Sequence, residues 1–386
     1  VVAAVEELAM SVEVPTKPEF EALVARVDDQ ESRIAALEAG TPPQPEPPDP
    51  GDYTDVVGPI TATTGERLYR LRVTSPNGHG IVAADDVVIE DCLIGPVHGH
   101  GVLIDGTRRV KVVNSIIATG RSRAGTDQSH GVYMKNGARD ILIQGCAFAQ
   151  NESHMVAQNC YAITIRGNYG QNPLGPNPRG QHIQCYPVNK DGPESDGVII
   201  DRNFFEITPE LEHSNPRDNV GVEDSINIGG GSKYAKVTDN YIVGGSCGSG
   251  CGIILEGRSD YGQALRNICI RTSQCGVSIT GSAYCLAAEN KVLDPNLTQL
   301  GWTEGNTGIV AWYQSSTSPP EYTHDNRVDR NIVSNRWTNG QYSDIWIKSG
   351  CGSKDGNTTG DSARALLTPE AEKLPRPPIP PLPWTP

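Results

Sequence analysis

Five histidines recur at spacings that could do chemistry. His79-Gly80, His100-Gly101 and His130-Gly131 stand at equivalent points of a repeating pattern, His154 precedes the next repeat, and His182 falls at or one place after the equivalent point of the one after that. Asp127 lies three residues before His130, and Tyr133, Lys135 and Arg139 follow it. An imidazole beside a carboxylate and a cation is what proton abstraction from a uronic acid needs, because the base removes the proton next to the carboxyl group and cations hold the charge that develops. On this basis Asp127, His130, Lys135 and His154 are the expected catalytic residues, and His100, Tyr133, Arg139 and His182 the expected carbohydrate contacts. A second chemistry is glycoside hydrolysis by two carboxylates, with Asp201, Glu206, Glu223, Asp224 and Glu256 as candidates, although no motif selects a pair. A structural role competes with both. Gly after His marks a tight corner, and a His that hydrogen-bonds backbone there would repeat as a ladder.

The elements that must position these residues are strands. HGVLIDGTRRVKVVNSII from His100 and HGVYMKNGARDILIQGCAF from His130 are two copies of one unit: a short strand, a Gly-containing turn, a second strand and a last apolar pair. Apolar residues alternate with period 2 within each strand. Related units start near Gly80, Met155, His182, Ser225, Cys251, Gly276 and Gly308. A self-similar unit of this length is the signature of a solenoid. Residues 69–348 resemble a right-handed parallel β-helix of the pectate-lyase-like class, a fold that hosts lyases, hydrolases, epimerases and plain binding spikes. Some lyases and epimerases of that class use His or Tyr, Lys and Arg on a sheet face. The expected class is therefore all-β: a single-stranded right-handed parallel β-helix solenoid with an N-terminal α-helical coiled coil.

Composition suits that reading. The 386 residues include 42 Gly and 29 Pro but only four Phe and three Met, as expected of a turn-rich solenoid with small stacked residues. A formal charge of −14 argues against general nucleic-acid binding, and no apolar run is long enough for a membrane-spanning helix. Bases cluster over residues 108–139 (Arg108, Arg109, Lys111, Arg121, Arg123, Lys135, Arg139) and acids over 189–224, which suggests a basic groove over the early coils for an anionic glycan. The ten Cys show no metal-ligand spacing. Cys92 and Cys146 occupy one repeat position, and Cys251 and Cys275 another. They read as small buried thiols, or as a Cys251–Cys275 or Cys247–Cys251 disulfide. No metal site and no cofactor are expected, with Ca²⁺ the one ion left open.

The expected organisation is a helix and coiled coil over 1–40, a Pro-rich linker over 41–51, an entry cap over 52–68, the solenoid over 69–348, and a C-terminal segment with a Pro-rich tail over 349–386. Phe20, Val27 and Ile34 with Leu23, Gln30 and Leu37 set a seam of three heptads, roughly 33 Å long. Coiled coil, spacer, solenoid and tail together resemble bacteriophage tail spikes and related receptor-binding proteins. That resemblance implies a homotrimer on the virion tail, joined to other tail proteins through the N-terminal segment and binding, with or without cleaving, a host cell-surface polysaccharide. The alternatives are a secreted polysaccharide lyase or epimerase acting on a uronate-containing glycan, and a non-enzymatic rod.

Overall fold

The computed structural model describes residues 53–120, 129–175, 180–208, 223–245, 250–272, 274–294, 307–313, 322–335 and 341–373. The expected coiled coil over 1–40, the linker over 41–51, the Pro-rich tail and most of the long insertions lie outside these residues. By internal contacts the chain divides into Val1–Pro50 and Gly51–Pro386, and only the second contains described residues.

Strands follow one another in a fixed rotation through three parallel sheets of 12, 11 and 11 strands, here sheets I, II and III. One turn of the rotation is a coil; the first comprises Thr54–Val57 in sheet I, Ile60–Thr61 in sheet II and Arg67–Tyr69 in sheet III. Eleven such coils, the first included, succeed one another among the described residues, and Thr358–Thr359 then adds a last strand to sheet I. Strands therefore occur on both sides of residues 69–348. Each repeat start read from the sequence falls at a strand of sheet II, from Ile81–Val82 to Thr307–Trp312.

The alternation explains the core. In sheet II, Val102, Val132, Met155, Ile183 and Ile226 pair in one row, and Ile104, Met134, Ala157, Cys185 and Ile228 pair in another. All ten are buried in a single apolar core. The residues between them point outward. The thiols of Cys92, Cys146, Cys160, Cys185, Cys269, Cys285 and Cys351 are free and buried, whereas Cys251 and Cys275 are bonded across adjacent coils of sheet II.

Where sheet III turns into sheet I, seven coils place an Asn at the same corner. Asn168, Asn203, Asn240, Asn267, Asn290, Asn331 and Asn357 form a ladder in which each Oδ1 accepts both the backbone and side-chain N–H of the preceding Asn, at 2.8–3.0 Å. Buried polar groups are tolerated because each meets a partner. Earlier coils place Cys92, Ser115 and Cys146 there instead; the N–H of Cys92 donates to Ser115 Oγ and that of Cys146 to Asn168 Oδ1.

A helix, α1 (Gly360–Lys373), follows the last strand and packs on sheet I beside Ile332–Asn335. Ala363 and Leu367, one helical turn apart, are its buried contacts. No helix is predicted there from the sequence alone, where Pro369 interrupts the apolar pattern.

Candidate functional site

The expected histidine series is real but divided. His79, His100 and His130 stack on the outside of sheet II with ring centroids 5.0 and 5.1 Å apart and planes within 7°. The backbone N–H of His100 donates to His79 Nδ1 (3.0 Å), and that of His130 to His100 Nδ1 (3.2 Å). These bonds make the series a corner ladder and place the proton of His79 and His100 on Nε2. Burial, then the neighbouring His79 and Lys135, push the His100 pKa down to about 4. His130 is buried, with Nδ1 3.7 Å from the buried Glu152 Oε2.

His154 and His182 sit one residue later in the register, where earlier coils have Gly101 and Gly131. A one-residue offset moves a strand side chain to the other face. Both rings accordingly lie in the interior with no solvent exposure, His154 against Phe148 and His182 against Phe205. Burial holds the His154 pKa well below its ordinary value and lowers that of His182 to about 3. The structure thus places His154, expected as catalytic, and His182, expected as a sugar contact, where neither side chain reaches a surface. His154→Ala should cost about 2–4 kcal/mol through the cavity it leaves, read as a lower urea midpoint. An unchanged midpoint with lost activity would contradict this assignment.

Of the other expected residues, Asp127 lies outside the described residues. Tyr133 is on the outer face, edge-on to His100 and His130, and its hydroxyl donates to Gln158 Oε1 (2.5 Å). Lys135 pairs with Asp105 (3.2 Å), and Arg139 with Asp196 (3.1 Å) and Asp140 (3.4 Å). Arg109 likewise pairs with Asp86 (2.6 Å). Three of the seven bases of the expected basic groove are thus paired with acids, Arg139 and Asp196 across 57 residues of sequence, and Arg121 and Arg123 lie outside the described residues.

Three coils beyond His130, the same outward row holds Asp224. It is 3% exposed. Its Oδ1 accepts the N–H of Cys251 (2.8 Å) and its Oδ2 accepts Asn227 Nδ2 (3.0 Å). The same Asn227 nitrogen donates to Glu256 Oε1 (3.0 Å) on the next coil. The two hydrogens of a trigonal amide diverge, so the bridged oxygens stand about 5 Å apart. Glu223 completes a group of three carboxyls. Burial, followed by repulsion from Glu223, pushes the Asp224 pKa up to about 8; burial and then Glu256 also raise that of Glu223. A half-exposed Tyr186 borders the group. Its ring lies on Gly229 and Gly230, where an added Cβ at Gly229 would come within 2.4 Å of the ring and 3.1 Å of Glu256 Oε1.

Asp224 and Glu256 were among five candidate acids in the sequence, but only register selects them. Asp224 stands at the repeat position of His130, two residues before a strand followed by Gly229-Gly230-Gly231, and Glu256 ends the next strand of the same sheet. That coincidence is the available signal. Among the described residues no cluster of His, Cys, Asp and Glu is arranged to hold a metal ion.

The family model for the right-handed beta helix region matches residues 60–173. The described strands from Thr54 to Thr359 form a parallel β-helix, and residues 60–173 match the right-handed type. A comparison with curated proteins finds no match. Among solved structures, this β-helix is similar to the Dettilon tailspike protein (13% identity, TM-score 0.46, 80% of this chain and 58% of that one). It is also similar to a tailspike protein mutant of E. coli bacteriophage HK620 in complex with pentasaccharide (10%, 0.46, 91% and 64%), and to the A-module of a mannuronan C-5 epimerase from Azotobacter vinelandii (12%, 0.37, 80% and 87%). The β-helix spans about three-fifths of the length of the two tailspike chains. At such identities the likeness concerns the fold.

Proposed function

We propose that this β-helix binds a cell-surface polysaccharide on the outer face of sheet II and hydrolyses its glycosidic bonds, as a trimeric tail-spike-like protein held on a virion through its N-terminal segment. The observation that carries the enzymatic part is the pair Asp224–Glu256, bridged by Asn227. Glycosidases need one carboxyl that keeps its proton at working pH and a second that attacks the anomeric carbon or activates water. Asp224, with its pKa raised to about 8, suits the proton donor. Glu256, half-buried on the neighbouring coil, is the second carboxylate. A separation of about 5 Å favours a covalent intermediate and net retention, since inversion leaves roughly 6.5–9.5 Å for a water.

The uronate lyase or epimerase reading has weaker support. His79 and His100 already accept backbone N–H groups through Nδ1, and Lys135 and Arg139 are ion-paired. The virion, the trimer and the N-terminal attachment rest on the resemblance of the whole layout to tail spikes.

The test is incubation with bacterial capsular and O-antigen polysaccharides, following reducing ends and 235 nm absorbance together. Hydrolysis gives reducing ends without absorbance; a rise at 235 nm means unsaturated product and would return the search to the histidine side.

The pH profile is a further prediction. A proton donor must stay protonated, so kcat/KM should fall as pH rises through about 8, the value for Asp224. The same shift has a stability consequence. Between the ordinary 3.8 and about 8 the folded chain binds the proton more tightly than the unfolded chain, so this group's contribution to stability is lost as pH rises across that window. Asp224→Asn should flatten both dependences; an alkaline limb that persists in the variant would reassign the donor.

A further inference from the structure

The outer face of sheet II differs on the two sides of the acids. Toward the C-terminus, the next outward residues are Ser278 and Thr280, buried and hydrogen-bonded to each other (2.7 Å), beside the buried Cys251–Cys275 pair. Toward the N-terminus, the row of Glu256 runs through Gly229, Tyr186, Gln158 and Lys135. Gly229 carries no side chain, Tyr186 is 46% exposed and Gln158 is exposed. At about 4.8 Å per coil this open strip extends about 19 Å from Glu256 to Lys135.

We propose, resting on the hydrolase reading above, that the glycan lies along this strip on the N-terminal side only, so that the bond cut is at the strip's closed end. Tyr186 is the platform for the sugar next to the acids. Its ring is fixed from below by the Gly229–Gly230 backbone, and an aromatic face that is half-exposed and held in place offers apolar area to a sugar ring at little entropic cost. The Tyr133–Gln158 hydrogen-bonded pair receives the chain one to two coils further on. The strip's one cation, Lys135, is already paired with Asp105, and its other end carries carboxyls. The segment bound there is therefore an uncharged one, recognised through ring faces and hydroxyls.

The experiment uses the full chain carrying Glu256→Gln, to separate binding from cleavage, on an array of bacterial O-antigen and capsular polysaccharides. The bound glycan is then titrated against added variants. Tyr186→Ala should weaken binding by at least tenfold and Tyr186→Phe should restore it. Tyr133→Ala with Gln158→Ala should weaken it several-fold. Trp346→Ala, an exposed aromatic beyond Ser278 and Thr280, should leave it unchanged. Affinity should be insensitive to salt between about 50 and 500 mM, because no charge pair forms. Loss on Trp346→Ala with none on Tyr186→Ala, or a steep salt dependence, overturns the proposal while leaving the hydrolase reading standing. Binding to no member of the array by either the variant or the unmodified chain overturns both.

Discussion

Glu256→Gln should abolish glycan cleavage, with kcat at least about 10³-fold lower, while the glycan remains bound. The amide keeps the size of the side chain and can still offer its oxygen to Asn227 Nδ2, so the 3.0 Å contact and the seating of Tyr186 are preserved. What is lost is the negative charge beside the reacting carbon, and with it both the nucleophile and the stabilisation of an oxocarbenium-like transition state. The effect should fall on kcat and leave KM nearly unchanged, because the change removes an interaction made in the transition state. Unfolding by urea should be unaltered. A variant that still cleaves at a tenth of the original rate would exclude Glu256 from the chemistry and leave Glu223 to pair with Asp224.

Asn240→Leu should produce the largest loss of stability among single substitutions at the corner between sheets III and I. Asn240 sits mid-ladder: Oδ1 accepts the N–H and Nδ2–H of Asn203, and Nδ2 donates to Asn267 Oδ1 and to the carbonyls of Ile200 and Thr238. Leucine has the same branched shape and a larger volume, so no cavity forms and overpacking adds to the loss. It also leaves a buried backbone N–H of Asn203 and the Ile200 carbonyl without their partners, each costing about 1–3 kcal/mol, for a total on the order of 3–5 kcal/mol. Neighbouring coils stabilise each other in series, so amide exchange should accelerate most in the coils of Asn203, Asn240 and Asn267 and fall away toward both ends. Equal acceleration along the whole β-helix would instead mean that it unfolds as one cooperative unit. An unchanged urea midpoint would mean that the ladder is replaceable.

The coil is legible in the amino-acid sequence. Period-2 alternation in units such as HGVYMKNGARDILIQGCAF is a direct consequence of strands with one face in a core, and stacking identical units is the way such short strands bury that face. The sequence also carries the histidine corner, because His100 and His130 precede Gly and lie two residues before an inward Val, on the outward side. Tertiary structure decided which side chains meet. Lys135 and Asp105 are 30 residues apart in sequence yet adjacent across one coil step. Asp224 and Glu256 share one Asn227 because loop lengths differ between coils while register does not. His154 and His182 look like members of the series, and a single residue of register sends them to the interior. The physical reason is common to all these cases: facing along a strand is fixed by local alternation, whereas adjacency between coils depends on how many residues each turn inserts, and only the stacked structure counts them.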